Sequence, residues 1–378
     1  MIFRTPELTD KDIQIISDIE NLKTKLRYNL ANSPRRWFGL LRRTTLARNV
    51  SASNSIEGYI ISREDALAAV EGVEPMGSEQ DEAWKANRSY QLAMTYVLQL
   101  STDIDFSYSS DLIKSLHYMM LEYDLTKGPG KWRPGAISVY DEAKKENVYD
   151  APDAEGVPGF IGELIELLNN ADKKTPRMVL AAMGHLNLVM IHPFRDGNGR
   201  MSRCLQTLIL SRDGATLDPT FCSIEEYLGR NSRDYYDVLQ EVGGKKWNPM
   251  LDASAWIRFC LTAHHIQGNL YLHRVNSMSK LWERLESEIK GLGLPDRTMM
   301  AIVDAALGWS VRNLTYRKAV ETISDQVASR DLKDLVNHGF LIAIGNARGR
   351  HYKASELVQK IRLETVEKKL IESPYRSS

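Results

Sequence analysis

Several features that would settle the class of a 378-residue chain are absent from this one. Cysteine is scarce: Cys204, Cys222 and Cys260 are the only three, and none stands in a Cys-x-x-Cys pair. A disulfide scaffold or a thiolate zinc site needs thiols at short spacings, so neither is expected, and reduced thiols in a cytoplasmic setting are. Net charge is missing too, because 49 Lys and Arg balance 49 Asp and Glu. The molecule as a whole therefore has no electrostatic reason to seek nucleic acid or anionic lipid, and any such binding must be local. No hydrophobic run reaches the roughly 20 residues of a membrane span, and Met1-Ile-Phe-Arg-Thr-Pro lacks the apolar core of a signal peptide, so no membrane partner is expected. The pair His264-His265 has no surrounding carboxylates or cysteines to complete a metal cage. Internal repeats and low-complexity tracts are also lacking.

What is present reads as mainly helical. Ile13, Ile16, Ile19, Leu22 and Leu26 form one stripe of an amphipathic helix over Asp10 to Leu30. Arg36, Arg42, Arg43 and Arg48 follow in a basic helical stretch, read as a solvated face. Further helical patterns cover Trp84 to Leu98, Ser110 to Glu122, Gly159 to Asn169, Pro176 to Val189, Ala253 to Gln267 and Asn276 to Leu292. Gly128-Pro-Gly130 breaks the chain, and the β-formers of Gly130 to Val139, followed by Val148 and Tyr149, predict a β-hairpin.

Chemistry concentrates in His192-Pro-Phe-Arg-Asp-Gly-Asn-Gly-Arg200 with Met201, Ser202 and Arg203. Glycine frees the backbone to aim several N–H groups at one anion, and the helical spacing of Met201, Cys204, Leu205 and Leu208 puts a helix N-terminus just after the turn. His192 is the side chain of the run whose pKa suits proton abstraction near neutrality. Asp196 is a hard oxygen ligand, suited to Mg2+ held mainly by phosphates. Backbone N–H groups at Gly197, Asn198 and Gly199 suit charge building on a phosphoryl group, and Arg200 and Arg203, three apart, would project toward it. Phe194 is expected to anchor the loop in the core.

The run resembles the signature His-x-Phe-x-Asp/Glu-Gly-Asn-Gly-Arg-x-x-Arg of Fic domain proteins, with no departure at any signature position. The resemblance implies a mainly α Fic core with a β-hairpin flap, and transfer of AMP from ATP onto a Ser, Thr or Tyr hydroxyl of a target protein or of the chain itself. It implies that His192 is the general base, Asp196 positions Mg2+, and Arg200 and Arg203 bind the outer phosphates. Ser53-Asn-Ser-Ile-Glu57-Gly58 is similar to the inhibitory signature of self-restrained relatives, in the class whose inhibitory helix precedes the core. There Glu57 would pair with Arg203, bidentately, and take the space of the γ-phosphate; the other reading of these six residues is a helix N-cap by Ser53 or Ser55. The hairpin resembles the Fic flap, so Ile137 and Ser138 are expected beside the nucleotide and an extended target segment. Tyr235 and Tyr236 resemble the tyrosine pair that borders adenine; helical tyrosine pairs also serve as core packing.

Beyond Gly291 to Asp296 a separate pattern begins: a helix over Leu314 to Ile323, another over Gln326 to Asn337, then a hairpin through Phe340 to Ile344 and His351 to Lys353. Helix, helix, hairpin is the order of a winged helix, and many Fic proteins resemble this arrangement at the C-terminus. Arg330, Lys333, Arg348, Arg350 and Lys353 could contact phosphates of DNA, although Asp325, Asp331 and Asp334 dilute the charge, and a protein contact is the equal alternative. The expected division is an N-terminal helical region (1–100), a catalytic domain (101–274) and a winged-helix module (275–378). The scaffold also leaves open transfer of another nucleotidyl or phosphoryl group, removal of AMP, a DNA-binding regulator, and a homodimer.

Overall fold

The computed structural model describes every residue except 32–34, 74, 76–80, 142–143, 173, 213–217, 321–322, 347–348, 368–369 and 377–378. Five helices come first: α1 (Asp10–Ala31), α2 (Arg35–Ile56), α3 (Arg63–Glu71), α4 (Glu82–Leu100) and α5 (Ser110–Leu121). A hairpin of β1 (Ser138–Asp141) and β2 (Glu146–Asp150) follows, then α6 (Val157–Asn169), α7 (Arg177–Ile191), α8 (Asn198–Ser211), α9 (Glu225–Arg230), α10 (Ser232–Gly243) and α11 (Ser254–Ile289). The last elements are α12 (Thr298–Ala306), α13 (Asn313–Val320), α14 (Asp325–Asn337), β3 (Leu341–Ile344), β4 (His351–Ala354) and α15 (Glu356–Thr365). Side-chain caps start several of them: Ser62, Asp81, Ser109, Ser324 and Ser355 each accept a backbone N–H from the first turn of the helix that follows. No helix among the described residues is long and apolar enough to cross a membrane.

Two hydrophobic cores organise the chain. The larger surrounds α7, which is apolar on nearly every face, and α8, which buries Arg200, Ser202, Arg203, Gln206 and Thr207 beside its apolar residues, with α4, α5, α6, α10 and the first half of α11 packed round them. The second gathers Leu26 and Leu30 of α1, Trp37, Leu40 and Leu41 of α2, the second half of α11, and α12 to α15. Three long helices thus join both cores. Two helices are expected over 253–292, but α11 is one unbroken helix, so residues 274 and 275, where the sequence reading divides the chain, lie inside it. Its buried stripe continues through Gln267, Tyr271, Val275 and Met278 at helical spacing, with no proline to interrupt it.

The basic stretch on α2 is a solvated face only in part: Arg42 is exposed, the Arg36 side chain lies outside the described residues, and Arg43 and Arg48 are engaged by the fold. Arg43 turns inward to Glu71 of α3 at 3.0 Å and to Asp304 of α12 at 2.7 Å, and the Arg48 and Arg63 guanidiniums lie 5.9 and 4.7 Å from the Trp309 ring centre. At the C-terminal end, β3 pairs antiparallel with β4, and Val311 adds a bridge to Tyr352. Asp331, counted from sequence as diluting surface charge, is buried, bonded by Arg297 at 2.6 and 2.9 Å and by the Tyr316 hydroxyl. Arg330, Lys333, Arg350 and Lys353 are exposed; Arg348 lies outside the described residues.

The end of α2 is held where it matters for the site. A Cβ on Gly229 of α9 would lie 2.8 Å from the Ala52 Cβ and 3.0 Å from its carbonyl oxygen, so only glycine lets these helices approach so closely. Ser53 follows Ala52, fully buried.

Candidate active site

Helix α7 delivers the first residue of the site. His192 follows its last turn in the left-handed region at φ +52°, and its N–H still reaches the Leu188 carbonyl. A non-glycine residue held there stores strain of about 1–2 kcal/mol, as residues at functional sites often do. The imidazole Nδ1 lies 3.1 Å from the Val189 carbonyl oxygen. A carbonyl only accepts, so Nδ1 carries the proton and Nε2 keeps its lone pair. Burial holds the His192 pKa below the usual 6.5, against the pull of that carbonyl, Glu57 and Asp196. The side chain is therefore a neutral base at physiological pH.

The loop beyond His192 is over-determined. Phe194 is fully buried, as the sequence leads one to expect, and stacks flat on His117 with ring centres 3.6 Å apart. The His117 Nδ1 accepts from the Gly130 N–H, which leaves its Nε2–H to donate to the Asp196 carbonyl at 2.9 Å. Burial lowers the pKa of His117 to about 4, so it stays neutral in this role. Asn198 closes the turn: its Oδ1 accepts from the Phe194 N–H and its Nδ2 donates to the Phe194 carbonyl, each at 2.9 Å. The Asn198 side chain is thus spent on the loop, which leaves its backbone N–H to meet an anion. Arg133 ties the loop to the hairpin, donating from Nε to the His192 carbonyl, from its backbone N–H to that of Pro193, and from its other guanidinium nitrogens to Gly135 and Pro152.

Helix α8 begins immediately after. Gly197, at φ +76°, provides no side-chain cap, so the first N–H groups of α8 lack a capping partner on their own chain segment and present a positive dipole end. The Gly197 N–H itself is already taken by the Asp196 Oδ1 at 2.6 Å. A carboxylate sits over this end: a Cβ on Gly199 would fall 2.3 Å from the Glu57 Oε1. Arg203, fully buried, donates from Nε to the Ser53 Oγ at 2.7 Å and from Nη2 to the Ser53 carbonyl at 3.0 Å and to the Glu57 Oε1 at 2.6 Å. The contact to Glu57 is single and not bidentate: Ser53 takes Nε and shares Nη2, and Nη1 has no hydrogen-bond partner among the described residues. Burial alone would lower the Arg203 pKa, and Glu57 with the neighbouring tyrosines raises it.

Ser53 to Gly58 is therefore neither an N-cap nor a loop. It is the C-terminal turn of α2: Gly58 takes φ +84°, its N–H reaches the Ser55 carbonyl, and the Tyr59 N–H reaches the Asn54 carbonyl. That pair of bonds is a Schellman closure, which glycine favours. Ser53 and Glu57, four apart, share a face and meet Arg203 together.

Arg200 is fully buried too, with its guanidinium carbon 4.8 Å from the centre of the Tyr59 ring, and its Nε and Nη1 have no hydrogen-bond partner among the described residues. Asp196 is partly exposed, and its Oδ2 lies 3.5 Å from the Lys127 Nζ. Among the described residues no cluster of three His, Cys, Asp or Glu side chains could hold a metal. One outward-facing carboxylate fits Mg2+ that arrives with phosphates and water as its other ligands.

The remaining expected residues divide. Tyr235 is buried in the core, its hydroxyl 3.0 Å from the His185 Nε2 and its ring against Trp256, so packing is its visible role, although Arg203 lies 6.0 Å from its ring centre. Tyr236 is half-exposed and donates to the Ile56 carbonyl at the end of α2. In the hairpin, Ser138 pairs with Asp150 and Val139 with Tyr149, and a bulge between Val139 and Tyr140 leaves Val148 unmatched. The Asp150 N–H and carbonyl also bond Lys245 and Trp247, which fills the outer edge of β2. Ile137 accepts from Ala151, Ser138 bonds Asp150, and β1 keeps the free edge among the described residues. His117, Arg133, Tyr59 and Lys127 are site residues that the sequence reading missed. Gly130 to Val139 contained Arg133, and nothing in the local pattern marked it.

Residues 107–210 match the Fic/DOC family. The chain is 25% identical over 209 residues to a protein adenylyltransferase Fic of Nematostella vectensis, covering 54% of this chain and 45% of that protein. It is 33% identical over 115 residues to a protein adenylyltransferase Fic of Aedes aegypti, covering 30% of this chain and 20% of that protein. The chain thus spans less than half the length of these relatives. A crystal structure of a Fic family protein from Desulfovibrio desulfuricans superposes with a TM-score of 0.57 at 20% identity, covering 93% of this chain and 98% of that one, a likeness of fold. With the signature run at the start of α8 and the family match across α5 to α8, the chain carries a Fic domain over residues 107–210.

Proposed function

We propose that the protein is an adenylyltransferase that moves AMP from ATP onto a Ser, Thr or Tyr hydroxyl of a target protein and of itself, and that Glu57 restrains it. The observation that carries this reading is the Glu57 carboxylate seated over Gly199 at the start of α8 while bonded to Arg203. A side-chain anion in that position marks an anion site and keeps it closed to another anion.

The chain's own groups suit each step. The His192 Nε2 takes the proton of the target hydroxyl, and the oxygen attacks the α-phosphorus. The bond from that phosphorus to the bridging oxygen breaks, and pyrophosphate leaves with the electron pair. Backbone N–H groups at Asn198 and Gly199 steady the charge that develops, and Arg200 and Arg203 bind the outer phosphates once Glu57 is displaced. Asp196 would hold Mg2+, which supplies charge neutralisation for the triphosphate. The free edge of β1, starting at Ile137 and Ser138, suits main-chain pairing with an extended target segment, an arrangement tolerant of sequence. Tyr236, at the mouth beside α2, is available to a base, whereas Tyr235 serves from behind.

The test is a lysate treated with the Glu57→Gly protein and a panel of labelled nucleotides, read by mass spectrometry. AMP on hydroxyl side chains supports the reading. UMP, phosphate or loss of pre-existing AMP replaces it with another transfer or the reverse reaction, and no modification overturns it. One observation favours a second role for the C-terminal module: with Asp331 turned inward, Arg330 and Lys333 stand exposed on α14. Binding to random duplex DNA at low salt, lost with residues beyond 290, would support a DNA contact, and its absence would leave a protein contact.

A further inference from the structure

Arg200 and Arg203 are joined at the start of α8 by a further cation that reaches the Asp196 carboxylate. The third is Lys127, which precedes the Gly128-Pro-Gly130 break and comes from a part of the chain far from the signature run. Its Nζ lies 3.5 Å from the Asp196 Oδ2, donates to the Tyr59 hydroxyl at 2.8 Å and to the Glu82 Oε1 at 2.6 Å, and sits 5.3 and 5.5 Å from the ring centres of Tyr59 and Tyr123. Tyr59 also lies over Arg200, whose Nε and Nη1 lack hydrogen-bond partners among the described residues. One aromatic side chain, two positions beyond Glu57, thus engages two cations of the site while Glu57 engages the remaining one.

We propose that Lys127 is a third cation for the outer phosphates of a nucleoside triphosphate, and that Tyr59 masks it and Arg200 as a second lock, separate from Glu57. This rests on the nucleotide-transfer reading of the same site. The argument is one of charge and placement. Asp196 is the residue that would take Mg2+, and an ammonium 3.5 Å away now balances its charge. When a divalent cation takes that carboxylate the ammonium is repelled from it, and a triphosphate brought by the same cation replaces the lost anion beside Glu82 at 2.6 Å and Asp124 at 3.9 Å. Tyr59 is neutral and follows directly on the end of α2, so displacing that turn would free Lys127 from one bond and uncover Arg200 in one movement. Burial opposes the charge on Lys127, and its bonds to Glu82 and Tyr59 outweigh that, so it stays an ammonium across the physiological range. A role confined to stapling Glu82 to Tyr59 would not distinguish nucleotides by their number of phosphates.

The experiment measures equilibrium binding of ATP and of AMP, each with Mg2+, by calorimetry on the full chain. In the Glu57→Gly background, Lys127→Met should weaken ATP by about tenfold and leave AMP unchanged, since an ion-assisted phosphate bond is lost and AMP has no outer phosphates. Lys127→Arg should keep most of the ATP affinity. With Glu57 intact, Tyr59→Ala should tighten ATP several-fold, and Tyr59→Phe, which keeps the ring over Arg200 but drops the bond to Lys127, should fall between. AMP binding reports that each variant is folded. Equal loss of ATP and AMP in Lys127→Met, or loss of neither, overturns the phosphate contact; unchanged or weaker ATP binding in Tyr59→Ala overturns the second lock. If the Glu57→Gly parent binds neither nucleotide, the transfer reading fails and this proposal falls with it, a result separable from a parent that binds both and ignores Lys127.

Discussion

Removing the Glu57 carboxylate should open the site, and the size of the effect can be worked from the contact. The Glu57 Oε1 lies 2.6 Å from the Arg203 Nη2, with the arginine fully buried and the glutamate side chain 28% exposed. Two unit charges about 4 Å apart at an effective dielectric of about 20 attract by about 4 kcal/mol, which is a ceiling. The bond is single, Ser53 holds the other edge of Arg203 whether or not Glu57 is present, and solvent reaches the carboxylate, so a third to two thirds of that ceiling is the reasonable share. About 1.4 to 2.8 kcal/mol corresponds to a ten- to hundredfold gain in ATP affinity for Glu57→Gly. Glu57→Gln, which keeps the shape and loses the charge, should recover part of the gain. Self-labelling with ATP, followed alongside calorimetric binding, should rise by at least tenfold in Glu57→Gly and fall back in a Glu57→Gly, Arg203→Ala double variant. That cycle isolates the coupling between the two residues. Equal ATP affinity in parent and Glu57→Gly protein would show that the carboxylate over Gly199 does not compete with phosphate, and the restraint would be refuted.

Other outcomes follow from the same geometry. Because burial lowers the His192 pKa, the acid limb of the rate should lie below pH 6.5: the imidazole becomes protonated, and the rate falls, only as pH drops through the depressed value. Glu57 is one of the groups that pulls that pKa back up, so a rate profile of the Glu57→Gly protein should show the limb well on the acid side, and a midpoint above 7 would contradict the assignment. Asp196→Ala should lower labelling by at least about a hundredfold and EDTA should silence the parent, with Mg2+ or Mn2+ restoring it better than Ca2+; full activity in EDTA would remove Asp196 from metal binding. Gly58→Val forces a branched residue to φ +84° with no steric contact to blame, at a cost of about 1–2 kcal/mol, and should loosen the end of α2. Labelling should then increase while the melting temperature falls slightly, and Gly58→Asn, which tolerates that conformation, should stay near the parent.

The sequence made the site legible where its chemistry is contiguous. His192 to Arg203 could be read as base, carboxylate, turn and arginines because each feature is local, and Phe194 could be placed in the core from its apolar character within a polar loop. Ser53 and Glu57 were legible as a motif yet not as a helix end, since serine at that spacing suits an N-cap equally well. The signal that separates the two is Gly58, one residue beyond Glu57, where the backbone goes left-handed. His117, Arg133, Lys127 and Tyr59 were not legible at all. Each acts through a contact with a distant segment, such as His117 with Asp196 across 79 positions, and no periodicity records such a meeting. Asn198 adds a role that the sequence reading did not give it: its side chain closes the turn on the Phe194 backbone. In the fold, the long α11 was split in two because its middle is polar on one face, whereas the buried stripe through Tyr271 and Val275 belongs to a different core from the stripe that begins it.

In the proposed reaction His192 activates a hydroxyl for attack on the α-phosphorus of ATP at the start of α8. That step is tested most directly by incubating the Glu57→Gly protein with ATP labelled either at the α- or at the γ-phosphate, beside a Glu57→Gly, His192→Ala control, and measuring label bound to protein together with ATP affinity. The account predicts transfer of the α-label alone, its loss in the His192→Ala control, and nearly equal ATP binding by both proteins. Transfer of the γ-label, or α-label incorporation that survives His192→Ala at the same rate, would contradict it.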